Sequence, residues 1–228
     1  MRSVWFLGDI HGATNILAQA LLASDGPLVQ VGDFGFARET LEWIADRSFD
    51  RPVYLMDGNH EHHELLPSLA PGLHQLAPNC WYVGRGTVAE IAGLRIGFMG
   101  GGCSIDKHTR QKRGWHWSEL EVVTDEQVDT LIAEVGRTGP LDLLVTHQPP
   151  ESLIQRHFDP MDKVRLFGVS LDWIGAGSSL RLDRLWDALE RPPLISGHMH
   201  RRIVGDAYRM LDVNELFGVP ARSRGQSC

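Results

Sequence analysis

Short, mainly apolar runs alternate with amphipathic segments in the first quarter of the chain. Residues Ser3 to Leu7, Leu28 to Val31 and Val53 to Met56 are predominantly apolar, which is typical of strands covered on both faces of a sheet. Between them, Thr14 to Leu22 and Glu39 to Asp46 have apolar residues at helical spacing. This alternation predicts a unit of three parallel strands joined by helices in right-handed crossovers.

The rest of the chain predicts a mixture of further strands and helices. We expect a polar loop over Asp106 to Trp117 and a long irregular connection over Glu151 to Gly177, with at least one helical turn. Thr124 and Gln127 form a capping box at the start of a helix. The other expected elements are strands at Trp81–Val83, Thr87–Ile91, Leu94–Met99, Leu141–Val145 and Leu194–Ser196, helices at Thr124–Val135 and Leu180–Leu189, and a closing hairpin of Ile203–Gly205 with Tyr208–Leu211.

Composition narrows the class of protein. The 228 residues suit one sizeable domain, which we place at residues 1–218 with a flexible tail at 219–228. A net charge of −7 argues against a stable nucleic-acid partner. The three cysteines are few and far apart, which favours a reducing cytoplasm over a disulfide framework or a thiolate zinc site. We find neither a signal-peptide pattern nor an apolar run long enough to span a membrane.

Five of the predicted strands end in side chains that bind metals. Carboxylates, amides and neutral imidazoles are ligands for hard or borderline divalent cations. The carboxyl ends of parallel strands lie along one edge of a sheet, so these groups should converge there. A single such motif could be a simple turn, but the repetition predicts a metal centre. The strand-end groups are Asp9, His11, Asp33, Asn59, His60, His147, His198 and His200.

In their order along the chain, these motifs resemble the signature of the calcineurin-like metallophosphoesterases. As a set they are specific, and they extend from residue 8 to residue 200. The resemblance implies an α/β fold, a four-layer α/β/β/α sandwich with two mixed β-sheets. The motifs are Gly8-Asp9-Ile10-His11-Gly12, Gly32-Asp33, Gly58-Asn59-His60-Glu61, Thr146-His147 and Gly197-His198-Met199-His200.

The resemblance also implies two divalent metal ions, with Mn²⁺ the expected metal and Fe or Zn²⁺ as alternatives. Carried over residue by residue, Asp33 would bridge the two ions, and His60 would be a catalytic group near the leaving oxygen. The first ion would be held by Asp9, His11 and His200, and the second by Asn59, His147 and His198.

This assignment predicts hydrolysis of a phosphate ester. A shared carboxylate suits two cations about 4 Å apart, and a water held between them would be hydroxide near neutral pH. We expect this hydroxide to attack phosphorus while His60 assists the leaving group. A phosphodiesterase acting on a small phosphate-ester or nucleotide-like substrate is the main hypothesis. A phosphomonoesterase (a protein phosphatase or a dinucleoside polyphosphate hydrolase) and a non-catalytic metal-binding scaffold are the alternatives.

The second motif departs from the protein-phosphatase branch of the family, where an acid and an arginine follow. Phe36 and Ala37 stand at those positions here, and Arg38 comes one residue late. The basic segment 106–117 could replace the missing arginine, with Arg110 and Lys112 as substrate contacts and Trp115 and Trp117 lining the pocket; a solvated basic loop is the other interpretation. His62 and His63 either contact substrate or begin a surface helix.

Overall fold

Two mixed six-stranded β-sheets form the centre of the protein in a computed structural model that describes residues 3–159 and 177–222. The first sheet has the order β12-β1-β2-β3-β5-β4 and the second the order β10-β11-β9-β8-β7-β6. The four inner strands of each sheet run parallel, and each outer strand is antiparallel to its neighbour. The strands are β1 Ser3–Leu7, β2 Leu28–Gln30, β3 Val53–Leu55, β4 Leu73–Ala77, β5 Cys80–Val83, β6 Thr87–Ile91, β7 Leu94–Met99, β8 Leu143–Thr146, β9 Leu194–Ser196, β10 Ile203–Val204, β11 Tyr208–Met210 and β12 Leu216–Pro220.

Helices cover the outer face of each sheet. An apolar cluster that includes Leu17 and Ile44 joins α1 and α2 to the first sheet, and one that includes Leu131 and Leu185 joins α4 and α6 to the second. A third cluster, with Phe6 and Phe98, lies between the sheets. The fold is therefore the four-layer α/β/β/α sandwich that the sequence predicts. The described helices are α1 Thr14–Ala23, α2 Arg38–Ala45, α3 Lys107–Arg113, α4 Asp125–Thr138, α5 Glu151–His157 and α6 Ser178–Ala188.

Most predicted elements are present, with bounds that differ by no more than three residues. The side chain of Thr124 accepts from Gln127 N, and Gln127 Oε1 accepts from Thr124 N, so the capping box is confirmed. The first part of the predicted connection over Glu151 to Gly177 is α5. Residues 160–176 of this connection lie outside the described residues. No helix within the described ranges combines the length and the apolarity that a membrane crossing requires.

The prediction of a loop over Asp106 to Trp117 is wrong for its middle, which is helix α3. The segment has no apolar residues at helical spacing, so its pattern does not indicate a helix. The helix ends at Gly114, and a glycine in the left-handed conformation is a common helix end. No sequence pattern predicts the outer strands β4 and β12, because His74 and Gln75 interrupt β4, and Gly218 and Pro220 interrupt the apolar residues of β12. Strand β12 ends at Pro220, so Val219 and Pro220, assigned to the tail, pair with β1; residues 223–228 lie outside the described residues.

Candidate metal centre

The loops after β1, β2, β3, β8 and β9 meet at the carboxyl edges of the two sheets. They bring together the seven predicted metal ligands, and each of these lies within hydrogen-bonding or ion-pairing distance of at least one other. Four of these residues have positive φ angles, which residues other than glycine rarely adopt. Strain of this kind is concentrated at functional sites. The angles are 46° at His11, 52° at Asp33, 67° at His198 and 49° at His200.

The first group of donors consists of Asp9, His11 and His200. Asp9 Oδ2 lies 3.1 Å from His200 Nε2, and the Nε2 atoms of His11 and His200 are 3.0 Å apart. Asp9 is fully buried, and its carboxylate accepts hydrogen bonds from the backbone N–H of His198. One ligand atom from each of these three residues and from Asp33 lies within 4.8 Å of every other, close enough to share one ion.

The second group consists of Asn59, His147 and His198. Asn59 Oδ1 lies 3.1 Å from His147 Nε2 and 2.8 Å from His198 Nδ1. His147 Nδ1 lies 3.1 Å from the carbonyl oxygen of Val31 and donates its proton there. In the neutral form that binds a metal, His147 has one ring proton, so its Nε2 presents a lone pair to the amide oxygen. A cation between these lone pairs would satisfy both atoms, and the donor set therefore fits a divalent metal.

Asp33 lies between the two groups. Its Oδ1 is 3.3 Å from His147 Nε2, and its Oδ2 is 3.8 Å from His11 Nδ1. Oδ2 is buried and has no hydrogen-bond donor among the described residues. Burial opposes ionisation of this carboxyl, but the surrounding histidines, His147 first, hold its pKa below the usual range. An ionised, buried carboxylate with one unpartnered oxygen fits a position shared by two cations.

Ser104 and Glu121 orient the amide of Asn59, and the sequence did not point to either. Asn59 Nδ2 donates to Ser104 Oγ over 3.0 Å, and Ser104 Oγ donates to Glu121 Oε2 over 2.7 Å. The chain of donors turns the amide oxygen of Asn59 towards the histidines. Ser104 lies shortly after the three glycines that follow β7, at the same sheet edge, and this position could have indicated a role at the site. No sequence pattern indicates Glu121.

Glu61, the last residue of the third motif, ties two of the loops together. Its carboxylate accepts from the backbone N–H groups of Gly35, at 2.9 Å, and of Phe36, in the loop after β2. It also accepts from Gly58 N at 3.2 Å, in the loop after β3. Burial and the nearby Asp33 carboxylate raise the pKa of Glu61 well above its usual value. Glu61 therefore fixes the loop of Asn59 relative to the loop of Asp33.

Asp57 anchors the loop after β3 through buried polar contacts. It is fully buried and pairs with the equally buried Arg85, whose Nε lies 2.9 Å from Asp57 Oδ2. Tyr82 donates its hydroxyl to Asp57 Oδ1 over 3.0 Å. The Arg85 guanidinium also donates to the carbonyl oxygens of Leu120 and Val122. This network connects the loop after β3 to the segment that carries Glu121.

His60 lies beside the metal groups and is contacted by Arg110. Its backbone N–H donates to Asp33 Oδ1 over 2.8 Å, and its ring Nε2 lies 4.0 Å from Asp33 Oδ2. Arg110 Nη2 lies 2.8 Å from His60 Nε2 and also contacts Nδ1. Burial lowers the pKa of His60, which favours the neutral ring that accepts from the guanidinium. Asp106 holds Arg110 at 2.9 Å, one helical turn away.

Four other residues from the sequence motifs and the basic segment lie in positions that differ from that of Arg110. Lys112 is exposed on α3, and no described contact joins it to the metal groups or to His60. Arg38 is exposed at the start of α2. Phe36 is buried and packs against Phe34 and Tyr82, with ring centroids 4.8 and 5.8 Å away. His63 is buried rather than on the surface, and it begins a short 3₁₀ helix, His63–Leu65.

The four-layer fold and the cluster of acid, amide and imidazole groups define a metal-dependent hydrolase of phosphoric esters. The sequence model of the calcineurin-like phosphoesterase family matches residues 2–202, most of the chain. The chain therefore belongs to the calcineurin-like phosphoesterases, as the sequence motifs predict. A comparison with curated proteins found no match.

Proposed function

We propose that the protein is a dinuclear phosphodiesterase that hydrolyses a small, nucleotide-like phosphate ester in the cytoplasm. The observation that carries the dinuclear part is the position of Asp33, whose two carboxylate oxygens face different groups of donors. Asp9, His11 and His200 would hold one ion, Asn59, His147 and His198 the other, and Asp33 both. Mn²⁺ is the metal we expect, with Fe or Zn²⁺ as alternatives, because a donor set of oxygen and nitrogen without thiolate suits all three.

Two divalent cations in these positions would lower the pKa of a water and neutralise charge on the phosphate oxygens. The protein's own groups must then position the ester and supply a proton to the leaving oxygen. His60 is partly exposed at the edge of the metal groups, and imidazole is the side chain best suited to proton transfer near neutral pH. Burial lowers the pKa of His60 in the free protein, and a bound anionic ester would favour the protonated ring that gives the proton. We assign the leaving-group proton to His60.

Arg110 is proposed to hold the phosphate of the substrate. It contacts His60 from α3, whereas Phe36 and Ala37 stand in the second motif where the protein-phosphatase branch has an acid and an arginine. Its guanidinium has several N–H donors, and it can transfer some of them from His60 to phosphate oxygens. Arg110 is thus a cationic side chain in direct contact with His60.

We infer the diester preference from the small number of cationic side chains near His60 that could compensate the charge of the substrate phosphate. A phosphomonoester carries a second negative charge near neutral pH, and the arginine that follows the second motif in protein phosphatases is absent here. A diester, with one negative charge, needs less compensation beyond the metals. The small cluster of His60 and Arg110 therefore favours a diester substrate.

Bis(p-nitrophenyl) phosphate and p-nitrophenyl phosphate test this preference, because both release the same chromogenic alcohol. With added Mn²⁺, we expect kcat/KM to be higher for the diester and to disappear with a chelator. Faster hydrolysis of the monoester would favour a phosphomonoesterase. Tight metal binding without hydrolysis of either ester would favour the scaffold.

A further inference from the structure

A second group of metal-binding side chains lies outside the candidate metal centre. His62, Glu64 and His116 each offer one ligand atom, and these atoms lie within 4.8 Å of one another. The imidazole rings of His62 and His116 are stacked, with an angle of 18° and centroids 3.9 Å apart, so one of these exposed rings would rotate for both to bind one ion. His62 precedes and Glu64 lies in the short 3₁₀ helix after β3, whereas His116 follows α3. We call this group the peripheral cluster.

The distances in the peripheral cluster resemble those between the ligands of a tetrahedral zinc ion. Glu64 Oε1 lies 3.2 Å from His62 Nδ1, and Glu64 Oε2 lies 3.7 Å from His116 Nε2. Ligands at the usual Zn–N and Zn–O distances are about 3.4 Å apart in a tetrahedron. The carbonyl oxygen of Glu61 lies 3.1 Å from His116 Nε2. The fourth position is open to this oxygen or to water.

The charges and exposure of these groups also suit a cation. Two imidazoles this close repel one another when both are protonated, and a metal replaces both protons with one shared charge. Burial and His62 lower the pKa of His116, which favours the neutral, metal-binding form. The side chains of His62, Glu64 and His116 are 42%, 52% and 32% exposed, so an ion can reach them from solvent.

We propose that the peripheral cluster binds one divalent transition metal of the zinc class, separate from the two ions of the candidate metal centre. Two imidazoles and one carboxylate are a known ligand set for Zn²⁺. The ion would join the loop that carries His60 to the segment that carries Arg110, because His62 and His116 each lie within six residues of one of them. It would hold α3 against the loop after β3.

The test counts bound Zn²⁺ in the purified full-length protein after equilibration with excess Zn²⁺ and removal of free metal. We expect wild type to hold one equivalent more than each of the variants His62→Gln, Glu64→Gln and His116→Gln. His108→Gln is the matched control, because His108 is an exposed histidine of α3 outside the cluster, and we expect it to equal wild type. The difference of one equivalent does not depend on how many ions the candidate metal centre takes.

Digestion with trypsin gives a second measurement. Segment 106–117 contains four cleavage sites, Lys107, Arg110, Lys112 and Arg113. In protein already loaded with Mn²⁺, one equivalent of Zn²⁺ should slow cleavage of this segment in wild type and in His108→Gln, but not in His116→Gln. Equal Zn²⁺ content in wild type and in all three cluster variants would overturn the proposal, whether or not the protein hydrolyses diesters. If one variant misfolds by circular dichroism, the other two decide.

Discussion

The amide nitrogen of Asn59 donates to Ser104 Oγ over 3.0 Å, and this contact determines which end of the amide faces the histidines. If the amide were reversed, Nδ2 rather than Oδ1 would face His147 and His198, and an amide nitrogen is not a metal ligand. Ser104 is itself held by Glu121, through both its hydroxyl and its backbone N–H. The second metal group thus depends on residues that do not contact a metal.

Replacing Ser104 with alanine should weaken metal binding without removing a ligand. Hydrogen bonds that orient ligands are worth about 10–100-fold in metal affinity, and we expect a loss of that size for one of the two ions. Titration with Mn²⁺ measures it. The thermal midpoint of unfolding, measured in chelator, should change little. Unchanged affinity for both ions would refute the orienting role of Ser104.

Gly58 should be intolerant of any side chain. A Cβ built at Gly58 would overlap Asp33 Oδ1 and Asp33 N, so Gly58→Ala must push the carboxylate away from its position. We expect loss of metal binding and of activity. Gly136→Ala is the matched control, because Gly136 lies in α4 with open space around it. There, alanine should stabilise the helix by roughly 0.5–1 kcal/mol.

His60→Gln should leave the metal content unchanged and lower kcat. If His60 gives a proton to the leaving oxygen, its removal should matter most when the leaving alcohol is a poor one. We expect a loss of about 10²–10⁴-fold for a diester with an alkyl leaving group, and a much smaller loss for p-nitrophenolate, which leaves without a proton. A loss of equal size for both leaving groups would contradict this role.

Arg110 and Lys112 were both predicted to contact substrate, and the structure separates them. Arg110 is buried against His60, whereas Lys112 is exposed. Arg110→Ala should therefore raise KM for a diester by about tenfold or more, since one charge-assisted hydrogen bond contributes about 1.5–3 kcal/mol. Lys112→Ala should change KM little. Steady-state kinetics on both variants decides between a substrate contact and a solvated basic helix.

The elements that surround the site were predictable because their patterns are local. Strands β1, β2, β3, β8 and β9 are short apolar runs that end on ligand-type residues, and the parallel topology places those ends together. Helix α3 and the outer strands β4 and β12 lack such patterns. The contact of Arg110 with His60 joins residues 50 apart, and that of Asn59 with Ser104 joins residues 45 apart. Packing alone sets these contacts, so the sequence did not show them.

The central claim, two ions bridged by Asp33, is tested most directly by metal counting and electron paramagnetic resonance. The His116→Gln variant should be used, so that the peripheral cluster does not contribute. We predict two Mn²⁺ per chain and the spectrum of an exchange-coupled pair, since ions sharing a carboxylate lie about 4 Å apart. Binding of a single Mn²⁺, or of two ions with uncoupled spectra, would contradict the account.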